Sequence, residues 1–265
     1  MELSSTEAGR GEAMVLLHGF TGNVTSWDDL GSRLESSYRV VRVELPGHGA
    51  SPAPADPAAA RLPAVADALA ARLDRLGIER AHFIGYSMGG RALLHFAAAH
   101  GKRILSMAVL SASPGIEDSE ERAVRAAADS ALARRLEGEG LEAFVERWMA
   151  QPLFASLAQI DPASFAAERA RKLSGKAPAF AAALRAMSPG HQPSLWTALA
   201  DMAAPALIVA GTLDEKYGAI ATRTVAAMPQ ARLALLAGAG HSLLVEKPAE
   251  LAALIEDFLR ERRDG

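Results

Sequence analysis

Short apolar runs at 14–18, 39–45, 81–86, 104–111, 206–211 and 232–236 alternate with longer stretches rich in Ala, Leu and Arg, whose apolar residues recur with helical period. A run that is apolar at nearly every position, rather than at every second one, belongs to a strand buried on both faces, and such strands need helices to cover them. Helices are expected at about 24–34, 63–77, 88–100, 217–228 and 248–263. The expected fold class is α/β, a mostly parallel central sheet with helices on both faces. With 265 residues, half of them apolar, the chain has material for a large core.

The rhythm breaks between Gly115 and about Leu199. No β-branched run occurs there, Ala, Arg and Glu dominate, and breakers stand at Gly138, Gly140, Pro152, Pro162, Pro178 and Pro189. This predicts a helical insertion over residues 116–199, with 1–115 and 200–265 forming the core. Inserted after a strand's carboxyl end, it would cover the crevice where open α/β sheets bind ligands, and so act as a lid. The Pro/Ala stretch 51–60 reads as a surface loop.

Several function classes are disfavoured. A net charge of −3 offers no basic surface for nucleic acid or an anionic membrane. The absence of cysteine excludes disulfides, thiolate metal sites and a cysteine nucleophile. Residues 1–11 lack the apolar segment of a secretory signal, and no window approaches the ~18 apolar residues of a membrane span; a cytoplasmic location is expected. There is no H-E-x-x-H, no P-loop and no G-x-G-x-x-G opening a helix after the first strand, so neither metal nor cofactor is implied.

Gly85-Tyr86-Ser87-Met88-Gly89 joins a predicted strand to a predicted helix, the context that a G-x-S-x-G nucleophile elbow requires. A serine hydroxyl needs a base to take its proton, and in such folds the acid and then the histidine follow the serine in the chain. Asp214 stands directly after the strand 206–211, and His241 lies in the glycine-flanked loop Gly238-Ala239-Gly240-His241-Ser242 after the last strand. Ser87, Asp214 and His241 are the candidate catalytic residues; the alternative for Asp214 is the N-cap of the helix beginning near Tyr217. Leu17-His18-Gly19-Phe20 ends the first strand, which assigns an oxyanion hole to the backbone N–H groups of Phe20 and Met88, their side chains being incidental to that role. His18, and His48 within Leu45-Pro46-Gly47-His48-Gly49, precede Ser87 and read as scaffold.

Taken with Gly90-Arg91, Ser113-Pro114-Gly115-Ile116, Glu121-Arg122-Ala123-Val124-Arg125, Trp148, Gln151-Pro152-Leu153-Phe154-Ala155-Ser156, Gln192-Pro193-Ser194-Leu195-Trp196 and Asp214-Glu215-Lys216-Tyr217, these motifs resemble the α/β-hydrolase superfamily and, within it, the 2-succinyl-6-hydroxy-2,4-cyclohexadiene-1-carboxylate synthases of menaquinone biosynthesis. The resemblance implies a small polycarboxylate substrate, no cofactor, and elimination of pyruvate by the triad. It further implies that Arg91, Arg125 and Arg169 grip carboxylates, with Tyr86 and Trp148 lining the pocket; whether Arg169 or Arg171 enters the site stays open. Two positions depart from the family: Leu244 stands where a second histidine is expected, and Ala127 falls in a stretch usually richer in arginine. The alternatives are a serine hydrolase of esters or C–C bonds with Ser87 as nucleophile, and a non-catalytic α/β-hydrolase-like receptor that keeps the fold and the pocket. The expected assembly is a monomer or small homo-oligomer.

Overall fold

A computed structural model describes residues 1–263. Seven strands form one sheet: β1 (Ser5–Ala8), β2 (Glu12–Leu17), β3 (Tyr38–Val43), β4 (Ala81–Tyr86), β5 (Ile104–Leu110), β6 (Ala206–Gly211) and β7 (Ala231–Leu236), in the order β1-β3-β2-β4-β5-β6-β7. All neighbours are parallel except β1, which runs antiparallel to β3. The helices are α1 (Asp28–Leu34), α2 (Leu62–Arg75), α3 (Met88–His100), α4 (Ser119–Glu139), α5 (Leu141–Met149), α6 (Pro162–Leu173), α7 (Ala177–Ala186), α8 (Glu215–Ala227), α9 (Leu243–Glu246) and α10 (Pro248–Arg263). Among the described residues no helix is long and apolar enough to cross a membrane.

The continuous apolar runs have the two-sided burial that their composition demands, except β7, which lies at the edge of the sheet and leaves Leu233 and Leu235 exposed although its run reads as buried on both faces. Val15, Leu17, Phe83, Met107, Val109 and Ile208 point to one face, into a core shared with α2, α3 and α8. Met14, Leu16, Ile84, Ala108, Leu110, Leu207 and Val209 alternate onto the other, against α1 and α10. Successive side chains of a strand leave on opposite faces, so only a run apolar throughout fills both cores.

Two departures from expectation have local causes. The strand β1 escapes sequence reading because Ser-Thr-Glu-Ala is polar and its residues are at best half-buried; the backbone of β3 creates it. The segment 24–34 divides into a 3-10 turn, Val24–Trp27, and α1, while the expected loop 51–60 ends in a 3-10 turn, Pro57–Ala60. Asn23 caps the first turn by accepting from the Thr25 N–H.

Between β5 and β6 the chain folds α4 to α7 and the 3-10 segment Pro152–Gln159 into a layer with a core of its own, built on Phe144, Val145, Met149, Phe154, Leu157, Phe180 and Leu184. Half-buried Phe20, from the loop after β2, packs into that cluster as well as against the sheet core. This layer roofs the carboxyl ends of β2, β4 and β6.

Candidate active site

Strand β4 delivers Ser87 into a backbone conformation that only a forced turn produces, φ +50° and ψ −109°. L-residues avoid positive φ, and holding one there costs on the order of 1–3 kcal/mol. The surroundings impose it: the Ser87 N–H donates to the Leu110 carbonyl at 2.8 Å, and α3 begins at Met88. Gly89 allows the close approach, since a Cβ there would run into the Leu17 carbonyl of the neighbouring strand.

The serine Oγ lies 3.1 Å from His241 Nε2, and His241 Nδ1 lies 2.7 Å from Asp214 Oδ2. Imidazole and carboxylate are both almost wholly buried. The second carboxylate oxygen of Asp214 accepts the Tyr217 N–H at 3.3 Å. Both sequence readings of Asp214 therefore describe it, as partner of histidine and as N-cap of α8. The Tyr217 ring packs on the imidazole at 4.6 Å between centroids, and Phe154 of the lid meets it edge-on at 5.7 Å.

The loop after β2 is braced by two buried histidines. Leu45 N–H donates to His18 Nε2 at 3.1 Å, and His18 Nδ1 faces the Gly19 carbonyl at 2.7 Å. Thr21 N–H donates to His48 Nε2 at 3.2 Å, and His48 Nδ1 faces the Pro46 carbonyl at 3.0 Å. Each ring accepts at Nε2 and so carries its proton on Nδ1, the neutral tautomer that satisfies both neighbours. Burial drives the pKa of His18 down to about 4 and that of His48 down to about 3, the latter also through repulsion from His18. His95 is held at about 4 by burial and by nearby Arg91. Because these native pKa values lie below the unfolded value near 6.5, the unfolded chain binds protons that the native protein refuses. Stability is therefore full above that value and falls as the pH drops towards 4. Between pH 6.5 and 5, where carboxylates contribute little, the proton uptake on unfolding should rise from about 1.5 to nearly three, read from urea midpoints along the pH series. A flat profile would mean that these histidines are solvated in the native protein.

A cavity of about 750 Å³ opens above the triad, lined by Ser87, Met88, Arg91, Arg125, Trp148 and Tyr217 among others. Its volume suits a small organic ligand. Arg91, on α3 one turn beyond Ser87, is buried and forms no ion pair among the described residues; its guanidinium donates to the Met187 carbonyl at 2.9 Å and to Gln192 Oε1 at 3.2 Å. Burial lowers its pKa to about 10. Arg125, on α4, is partly exposed and paired with Asp129 at 2.9 Å. Lys216, a third cation on the wall, was not singled out from the sequence.

Two expected pocket residues lie elsewhere. Arg169 faces away from the cavity, its guanidinium bound to Glu146 at 2.5 Å and to Glu142 at 3.1 Å on the lid surface. Tyr86 sits behind the imidazole, 5.7 Å between ring centroids, with its hydroxyl on Ser242. It borders a small separate void shared with Glu168, Arg171, Lys172 and Leu244. Arg171 is thus nearer to the triad than Arg169, yet it pairs with Glu168 and donates to Thr25. The Phe20 ring meets Trp148 at 5.1 Å, Phe180 at 5.6 Å and Phe144 at 6.2 Å, a packing role separate from that of its backbone N–H.

Residues 14–254 match the model of the alpha/beta hydrolase family. Over 249 residues, 94% of this chain and 92% of the relative, the sequence is 34% identical to a 2-succinyl-6-hydroxy-2,4-cyclohexadiene-1-carboxylate synthase of Enterobacter sp. (strain 638). The structure is similar to that of MenH from S. aureus, with a TM-score of 0.93, 30% identity and 99% of both chains covered. It also resembles a malate-bound thermophilic esterase from Thermogutta terrifontis, with a TM-score of 0.85, 23% identity and coverage of 98% and 93%, a likeness of fold alone.

Proposed function

Since the chain belongs to the α/β-hydrolase family and, within it, to the 2-succinyl-6-hydroxy-2,4-cyclohexadiene-1-carboxylate synthases, we propose that it eliminates pyruvate from 2-succinyl-5-enolpyruvyl-6-hydroxy-3-cyclohexene-1-carboxylate, a lyase step of menaquinone biosynthesis on a hydrolase scaffold. The observation that carries this reading is the company kept by Ser87. Its hydroxyl shares one cavity with a buried arginine that forms no direct ion pair among the described residues and with a second arginine at the rim. A buried guanidinium without a counter-ion is costly, and a carboxylate from solution relieves it with paired hydrogen bonds.

In the proposed reaction Ser87, giving its proton to His241, removes the proton beside the succinyl ketone. Asp214 holds the imidazole with Nδ1 protonated and stabilises the imidazolium that forms. The N–H groups of Phe20 and Met88 receive the dienolate oxygen. As the dienolate collapses, the C–O bond to the enolpyruvyl group breaks and pyruvate leaves as its enolate, which takes up a proton. No acyl-enzyme forms, so Ser87 acts as a base. Arg91 and Arg125 anchor carboxylates while Trp148 walls the pocket.

The test is pyruvate release from the enolpyruvyl substrate, run beside a panel of aryl esters. Arg91→Gln should raise KM by about 10- to 100-fold with a smaller loss in kcat, the signature of an anchor engaged in both ground and transition states. Rapid ester turnover without pyruvate would overturn the reading in favour of an ester hydrolase.

A further inference from the structure

The turn that presents His241 is fastened by a residue outside the triad. Glu246, in α9, lies four residues beyond Ser242, and its carboxylate accepts the Gly240 N–H at 2.6 Å through one oxygen and the Ser242 N–H at 2.9 Å through the other. These are the two amides on either side of His241. The turn closes on itself because the Val245 and Glu246 N–H groups both donate to the Ser242 carbonyl at 2.9 Å. Upstream, the loop is tied to the strand that leads to Asp214: Leu213 N–H donates to the Ala239 carbonyl at 2.8 Å, and Gly238 N–H to Thr212 Oγ1 at 2.9 Å. Space is tight on the lid side, where a Cβ on Gly240 would collide with the Ser156 side chain and come within 3.2 Å of Glu246 Oε2.

From this geometry we propose that Glu246 is the positioning residue of the triad: by gripping the N–H groups of Gly240 and Ser242, the residues before and after His241, it sets the height and tilt of the imidazole between Asp214 and Ser87. A carboxylate suits the task because it accepts two convergent N–H bonds at once, and charge-assisted bonds are short and stiff. A glutamine in its place offers one acceptor and turns its NH₂ group on the other amide, so one of the two bonds is lost. Misplacing a catalytic group by about 1 Å costs on the order of a hundredfold in rate, although Glu246 itself touches no reacting atom. The inference rests on the reading of Ser87, His241 and Asp214 as the reactive centre.

Full-length wild type, Glu246→Gln and Glu246→Ala are compared by pyruvate release well below the melting temperature, and by amide hydrogen exchange over residues 237–246. Glu246→Gln should lose about 30-fold in kcat with KM changed less than about threefold, and Glu246→Ala more, because the pocket walls are untouched. Exchange at 240–242 should quicken about tenfold or more while the rest of the protein keeps its protection. A lower melting temperature with kcat within twofold of wild type would reduce Glu246 to a structural residue and overturn the proposal, as would unchanged exchange at 240–242. Wild-type protein that releases no pyruvate would instead sink the assigned reaction, and the exchange comparison would still decide whether the clasp exists.

Discussion

Replacing Ser87 by alanine is expected to lower kcat for pyruvate release by about three orders of magnitude or more, leaving the fold intact. The hydroxyl is the group placed 3.1 Å from His241 Nε2 on the wall of the cavity. Alanine keeps the Cβ that the positive-φ turn already tolerates, so the melting temperature should stay within a few degrees. Glycine at the same position relieves the backbone strain and should be at least as stable, though equally inactive. The residual rate reports what the arginines and oxyanion amides do alone. Turnover close to wild type in single-turnover pyruvate release would refute the assignment of Ser87 as the base.

A second large effect is expected from Asp214→Asn. The amide oxygen can still accept the Tyr217 N–H, so the start of α8 stays capped and stability should change little. The NH₂ group, however, would face His241 Nδ1 and drive the proton to Nε2, where the imidazole can no longer take one from Ser87. A loss of about 10³- to 10⁴-fold in kcat follows by the logic of the histidine tautomer in serine triads. Asp214→Ala removes cap and orienter together and should lose about 1 kcal/mol of stability besides. Comparing the two variants by thermal melts and pyruvate release separates the two duties of one carboxylate; equal activity of Asp214→Asn and wild type would contradict the tautomer argument.

The central sheet was legible because strands buried on both faces carry their environment in their composition, as in the runs ending at Leu17 and Tyr86. The strand Ser5–Ala8 was not, since its partner defines it and its own side chains do not. Ser87, Asp214 and His241 were legible as positions after strand ends, where α/β folds gather function. Residues on the lid were harder. Arg169 and Arg171 are two apart on α6, about 200° around a helix axis, and which of them turns towards the core depends on how α6 docks. Part of that docking comes from Lys172, whose ammonium reaches Thr21 Oγ1 at 3.2 Å while pairing with Glu168 of the same helix at 2.5 Å. No periodicity records a contact between residues 151 positions apart. Glu246 is not legible in the sequence for another reason: its bonds are to backbone amides, which carry no side-chain signature.

Phe20 sits where two demands meet. Its ring belongs to the aromatic cluster of the lid, with Trp148, Phe144 and Phe180, while its peptide belongs to the loop braced by His18 and His48. A lineage adapting this lid to another substrate cannot repack those aromatics freely, because each change of volume is transmitted through one ring to the peptide beside the serine. Variation that preserves turnover should therefore accumulate on the outer face of α4, where Ala127 already lies exposed, and be purged around Phe144 and Phe180.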